Sequence, residues 1–196
     1  MTHRIAASLA VLAAAAPAHA DGAVYYSTRD LLADFFRASE HVTYKKVAID
    51  PAARARLAAR LGYTPARDSY TFFVATTGDR VDGYAILDEE KGEHLPITFA
   101  VKLTPTGTVE RQEIVAYREP RGDEVRDARF RKQFVGKSAR DPICTDLDIV
   151  AVSGATISSR AMAVGVRRVV VLFDELFKHA GAVAATTGIG GPAGSM

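Results

Sequence analysis

Apolar residues recur along this chain with two spacings, and each spacing predicts a different kind of element. Leu31, Leu32, Phe35 and Phe36 fall on one face of a helix, and Ser27-Thr28-Arg29-Asp30 before them has the spacing of a helix start with an acid in its first turn. A second helix opens at Asp50-Pro51, a cap followed by proline. Ala53, Leu57 and Leu61 repeat every four residues along it, and Gly62 stops it. From Ser69 the period shortens to two. Tyr70 to Thr76 and Val81 to Leu87 are predicted as strands about the turn Thr77-Gly78-Asp79. Ile97, Phe99, Val101 and Leu103 alternate in a third strand, and Thr104-Pro105-Thr106-Gly107 turns it into a fourth over Val109 to Tyr117.

Helical spacing then returns. Gly122 to Gly136 is predicted helical, with Phe130 and Phe134 one turn apart. Met162, Val166, Val169, Val170, Phe173 and Phe177 form the apolar stripe of a long last helix over Ser158 to His179, with Arg160, Arg167, Asp174 and Lys178 on another face. There is no internal repeat. Helices, a four-strand antiparallel meander and more helices make an α+β single domain: an antiparallel sheet with flanking helices and a long C-terminal helix.

The two ends fall outside that pattern. Arg4, the uncharged Ile5 to Ala16 and the small-x-small triplet Ala18-His19-Ala20 lay out a secretory signal peptide over residues 1–20, with cutting expected before Asp21. Its apolar run is short for a membrane span. The mature chain is therefore expected in the periplasm, with no strong membrane anchor of its own. The domain is assigned to 21–179. The Gly/Ala/Thr-rich segment 180–196 has little to bury and is expected to be disordered.

Composition narrows the function classes. The chain has 196 residues, 48% apolar and 24% charged, which suits one globular domain with a core of its own. With 25 Lys+Arg against 23 Asp+Glu there is no general field to attract nucleic acid. A single cysteine, Cys144, allows no internal disulfide and reads as a buried small hydrophobe. His41, His94 and His179 lack metal-ligand spacing, and Glu89, Glu90 and Glu93 read as a solvated turn. No nucleophile elbow, phosphate loop or dinucleotide fingerprint is present, and no catalytic residue is assigned.

One segment stands apart: Val152-Ser153-Gly154-Ala155-Thr156-Ile157-Ser158-Ser159, ahead of the last helix. Free N–H groups at a helix start favour an anion. Gly154 and Ala155 let the backbone approach a bulky group, and Ser153, Thr156, Ser158 and Ser159 bring hydroxyls to phosphate oxygens. The same residues also suit a simple helix cap, and on physical grounds both readings stand.

Ser-Gly-Ala-Thr-Ile-Ser-Ser before an amphipathic C-terminal helix resembles the signature of the FMN-binding domain family. That family includes the flavin subunits of sodium-pumping NADH:quinone reductase and related ion-pumping electron-transfer complexes. A second block, Tyr117-Arg118-Glu119-Pro120-Arg121-Gly122 through Gln133-Phe134-Val135-Gly136-Lys137, resembles the loop and helix that precede the signature in small exported members. The likeness runs over roughly Asp82 to Phe177.

The resemblance implies an exported electron carrier, not a turnover enzyme. FMN would be joined to Thr156 by a phosphoester that a flavin transferase installs. Ser153, Gly154, Ala155, Ser158, Ser159, Glu119 and Gly122 would lie about the cofactor, and membrane-bound or periplasmic redox proteins would be the partners. Tyr117 and Phe134 are read first as core. Arg118, Lys137 and Arg140 are read first as solvated, with a place beside the flavin as the second reading for each. One departure weighs against the ester: family members commonly carry an aspartate where this chain has Val150, and Asp148 lies two residues upstream. The rival readings are an oxidoreductase with non-covalent FMN and a cofactor-free binding module.

Overall fold

The computed structural model describes residues 22–179. The expected signal peptide and C-terminal tail lie outside the described residues. Six antiparallel strands form one sheet: β1 (Ala23–Val24), β2 (His41–Ala48), β3 (Ser69–Thr77), β4 (Arg80–Lys91), β5 (Pro96–Leu103) and β6 (Val109–Tyr117), in the spatial order β1-β6-β5-β4-β3-β2. The expected meander is β3 to β6. The expected α+β class holds, but β2 enters between the first two helices and pairs along its whole length with β3, from His41 opposite Thr76 to Ala48 opposite Ser69. β1 adds a two-residue edge beside Ala116 and Tyr117.

The caps explain the first two helices. α1 (Thr28–Phe35) begins where the Ser27 side chain accepts the Asp30 N–H at 3.1 Å. α2 (Pro51–Leu61) begins where Asp50 accepts the Ala53 N–H at 2.7 Å, and it ends at Gly62. The stretch expected as one helix over Gly122 to Gly136 is instead a 3-10 turn, Asp123–Arg126, followed by the short α3 (Ala128–Lys132). Asp127 ends the first with its backbone N–H on the Glu124 carbonyl, and its side chain caps the second by accepting the Arg129 N–H at 2.6 Å. Within that segment Phe130 and Phe134 still meet edge to face, with ring centres 5.4 Å apart. α4 (Thr156–Phe173) starts two residues earlier than its hydrophobic stripe predicts and runs into a π-helical turn, Asp174–His179.

The sheet buries both faces. On one, Leu31, Leu32, Phe35 and Phe36 of α1 pack over Ala75, Ala85, Ala100 and Val115, small side chains that let a short helix lie close. On the other, α2, α3 and α4 cover Phe72, Ile86, Phe99, Val101, Leu103 and Ile114. Close approach of α4 needs Gly165, where a Cβ would stand 2.6 Å from the Phe99 ring.

α4 also carries a buried charge. Arg168 Nε donates to Asp88 Oδ2 at 2.9 Å, its Nη2 donates to the Glu89 carbonyl at 2.8 Å, and its Nη1 pairs with Glu90. Arg67 closes on the other Asp88 oxygen at 2.7 Å. Glu89 and Glu90, expected in a solvated turn, instead lie in β4, which pairs with β5 as far as Lys91 opposite Pro96. The Arg168 contacts hold the later part of α4 against the end of β4.

Candidate functional site at the mouth of the last helix

α4 begins without a side-chain cap. Ala155 occupies the cap position with φ −124° and ψ 33°, and no side chain bonds there. The Ala155 carbonyl accepts the Ser159 N–H at 2.8 Å, and the Ala155 N–H donates to the Val152 carbonyl at 3.0 Å. The N–H groups of Thr156, Ile157 and Ser158, in the first turn, have no backbone acceptor. The hydroxyls here do not act as a helix cap.

Those hydroxyls divide into two sets. Ser153 and Thr156 are exposed and make no side-chain hydrogen bond, and Gly154 between them is exposed with a φ of 82°. Ser158 and Ser159 are buried. Ser159 Oγ accepts the Val152 N–H at 3.0 Å, which pulls the loop onto its own helix. Ser158 Oγ lies 2.7 Å from the Tyr117 hydroxyl, which reaches the Arg121 carbonyl at 2.5 Å. A carbonyl only accepts and a phenol has one proton, so Tyr117 donates to Arg121 and Ser158 donates to Tyr117.

The loop after β6 therefore lies against this helix start. Gly122 has a φ of 91°, and a Cβ there would come within 2.7 Å of both the Ser158 and the Tyr117 oxygens. Glu119, on the same loop, is buried. Its Oε1 accepts the N–H groups of His94 and Leu95 at 2.6 and 2.8 Å, while its Oε2 is buried without a partner. Burial alone would push this carboxyl up. The Leu95 and His94 N–H groups and the nearby His94 charge outweigh burial and hold it below the ordinary carboxylate range. A buried anionic oxygen with no donor suits a ligand that brings an N–H.

Sequence reading thus gathers Ser153, Gly154, Ala155, Thr156, Ser158, Ser159 and Gly122 at one place. Glu119 is on the adjoining loop and makes no hydrogen bond to residues 153–159. These residues fit a flavin nucleotide: unpaired helix N–H groups for its phosphate, an open hydroxyl beside them, and an unpaired carboxylate oxygen for a ring N–H.

Other expected groups have different surroundings. Tyr117 and Phe134 are core residues, at 3% and 0% exposure. Arg118 donates to Thr98 Oγ1 at 2.8 Å. Arg140 is exposed with no side-chain bond. Cys144 is half-buried, not fully buried, and it lies in a tight loop where its carbonyl accepts the N–H groups of Leu147, Asp148 and Ile149. Gln133, which sequence reading passes over, grips Val150 on both sides, accepting its N–H at 2.7 Å and donating to its carbonyl at 3.1 Å. The Val150 side chain is held outward, 75% exposed. Among the described residues no group of three His, Cys, Asp or Glu side chains is placed to hold a metal ion.

Residues 92–171 match the model of the FMN-binding domain family, a stretch that contains both sequence blocks and the whole candidate site. The fold is similar to that of NqrC from Shewanella oneidensis, with a TM-score of 0.52 and 18% identity over 79% of this chain and 88% of that one. At that identity the likeness shows the fold. No curated protein sequence matches the chain significantly.

Proposed function

We propose that this chain is an exported electron-transfer protein that holds FMN through a phosphoester to the Thr156 hydroxyl. The observation that carries the proposal is the state of Thr156: first residue of α4, exposed, and, among the described residues, its hydroxyl unbonded beside N–H groups that nothing occupies. The match of residues 92–171 to the FMN-binding domain family supports FMN as the cofactor.

Each residue has a distinct part. The first-turn N–H groups of α4 would hold the phosphate, where a helix start contributes about 0.3–1 kcal/mol. Ser153 donates its free hydroxyl to the same group. A Cβ at Gly154 would meet no atom within 4 Å, so that side of the loop stays open. Glu119 Oε2 would accept a ring N–H and orient the flavin. Bound FMN supplies one- and two-electron redox chemistry, and the protein contributes placement and electrostatics. A micromolar site is worth about 8 kcal/mol and loses its cofactor on dilution, so an ester to Thr156 suits a protein working outside the cytoplasm.

The partners proposed are membrane-bound or periplasmic redox proteins, with a flavin transferase for maturation. No helix among the described residues is long and apolar enough to cross a membrane. A second reading, FMN held at the same place without the ester, is favoured by Val150 standing where the family commonly has an acid. Acid precipitation separates the two. Yellow colour that stays with the pellet of protein made beside a flavin transferase supports the ester, and colour left in the supernatant supports the second reading. A colourless protein contradicts both.

A further inference from the structure

We propose that Tyr117 and Ser158 form a hydroxyl latch that positions Glu119 for the flavin and so sets how tightly FMN is held, without either hydroxyl touching the cofactor. The proposal rests on the FMN assignment above.

Tyr117 is the last residue of β6, and its hydroxyl donates to the carbonyl of Arg121, four residues on. The turn that carries Glu119 is thereby closed by its own first residue. The same oxygen accepts from Ser158 in the first turn of α4, so one phenol joins the turn to the helix start. Gly122 completes the fit, since any side chain there would strike both hydroxyls. Across the turn, Glu119 Oε1 is fixed by the β4–β5 loop, where a Cβ at Gly92 would lie 2.6 Å from it. Glu119 is thus held from two sides with one oxygen left over.

Proton direction rules out the simpler role for Ser158. Its single proton goes to Tyr117, and the oxygen that remains can only accept. A phosphate ester offers acceptors alone near neutral pH. The Ser158 hydroxyl therefore positions and does not bind the phosphate.

The test titrates purified apo-protein with FMN by flavin fluorescence and records the flavin midpoint potential, for wild type, Tyr117→Phe, Ser158→Ala and the double variant. Each single variant is expected to weaken FMN binding roughly tenfold and to shift the potential. The double variant is expected to be no weaker than either single, because one shared contact is lost. Leu57→Val, in α2, lowers thermal stability and is expected to leave FMN affinity unchanged. Wild-type affinity and potential in both hydroxyl variants, with only a lower melting temperature, would overturn the latch alone. Failure of the wild type to take up FMN both in this titration and when made beside a flavin transferase would overturn the FMN assignment and the latch together.

Discussion

Lys137 Nζ lies 2.6 Å from Asp148 Oδ2, and the other Asp148 oxygen accepts the Cys144 N–H at 2.8 Å. Burial pushes the Asp148 carboxyl up, but the Lys137 bond and the Cys144 N–H outweigh burial and hold it below its ordinary range. Both oxygens are committed to the loop before α4. Asp148 thus serves the structure of that loop, with neither oxygen free.

Val150→Asp is accordingly expected to raise the fraction of chain that acquires flavin beside a transferase, since the Gln133 grip already presents that side chain to solvent. Asp148→Asn is expected to leave the fraction unchanged and to cost about 1–2 kcal/mol of stability, a half-buried charged bond of ordinary strength. Mass spectra of the mixed product and urea unfolding read the two effects separately.

Acid should weaken the Glu119 turn and the loop before α4. Glu119 and Asp148 are both held below their ordinary values of 4.5 and 3.8. A depressed carboxyl contributes stability that is fully present above its unfolded value and is lost as pH falls through its folded value. Stability from this pair is thus expected to be flat above about pH 5 and to decline steadily below pH 4.5. Glu119→Gln removes the upper part of that decline, which thermal melts at successive pH values would show.

Removing Arg168 leaves Asp88 buried with only the half-exposed Arg67 opposite. Arg168→Leu is expected to cost about 3 kcal/mol, at the low end for breaking a buried pair because Arg67 remains. Pairing it with Asp88→Asn should recover part of the loss. Urea midpoints at constant slope give both numbers.

Gly165→Ala sets helix propensity against packing. Alanine gains up to about 1 kcal/mol in a helix interior, but its Cβ would stand 2.6 Å from a fully buried Phe99 ring that the core holds in place. Overpacking of this kind costs about 1–3 kcal/mol. The net expectation is destabilisation, checked by the unfolding midpoint.

The parts of this molecule that were legible in sequence are those whose signals are local. Ser27, Asp50 and Gly62 mark helix ends within three residues of the backbone they serve, and Ile97, Phe99, Val101 and Leu103 alternate along one buried face of β5. β2 shows none: His41 to Ala48 is an edge strand exposed along most of its length, so neither face writes a hydrophobic pattern. Arg167 and Arg168 look alike in sequence. One donates to the Arg60 and Pro142 carbonyls at the surface, and the other is buried against an acid 80 residues away.

The candidate site divides along the same line. Ser-Gly-Ala-Thr and the helix behind it were readable as an anion site. That Thr156 is unbonded while Ser158 is spoken for depends on Tyr117, which sequence periodicity marks only as core.

Intact mass of the processed chain, made beside a flavin transferase, is the most direct test of the central claim. The account predicts a gain of FMN less water on the wild type and no gain on Thr156→Ala. A wild type at its unmodified sequence mass, or the same added mass on Thr156→Ala, would contradict it.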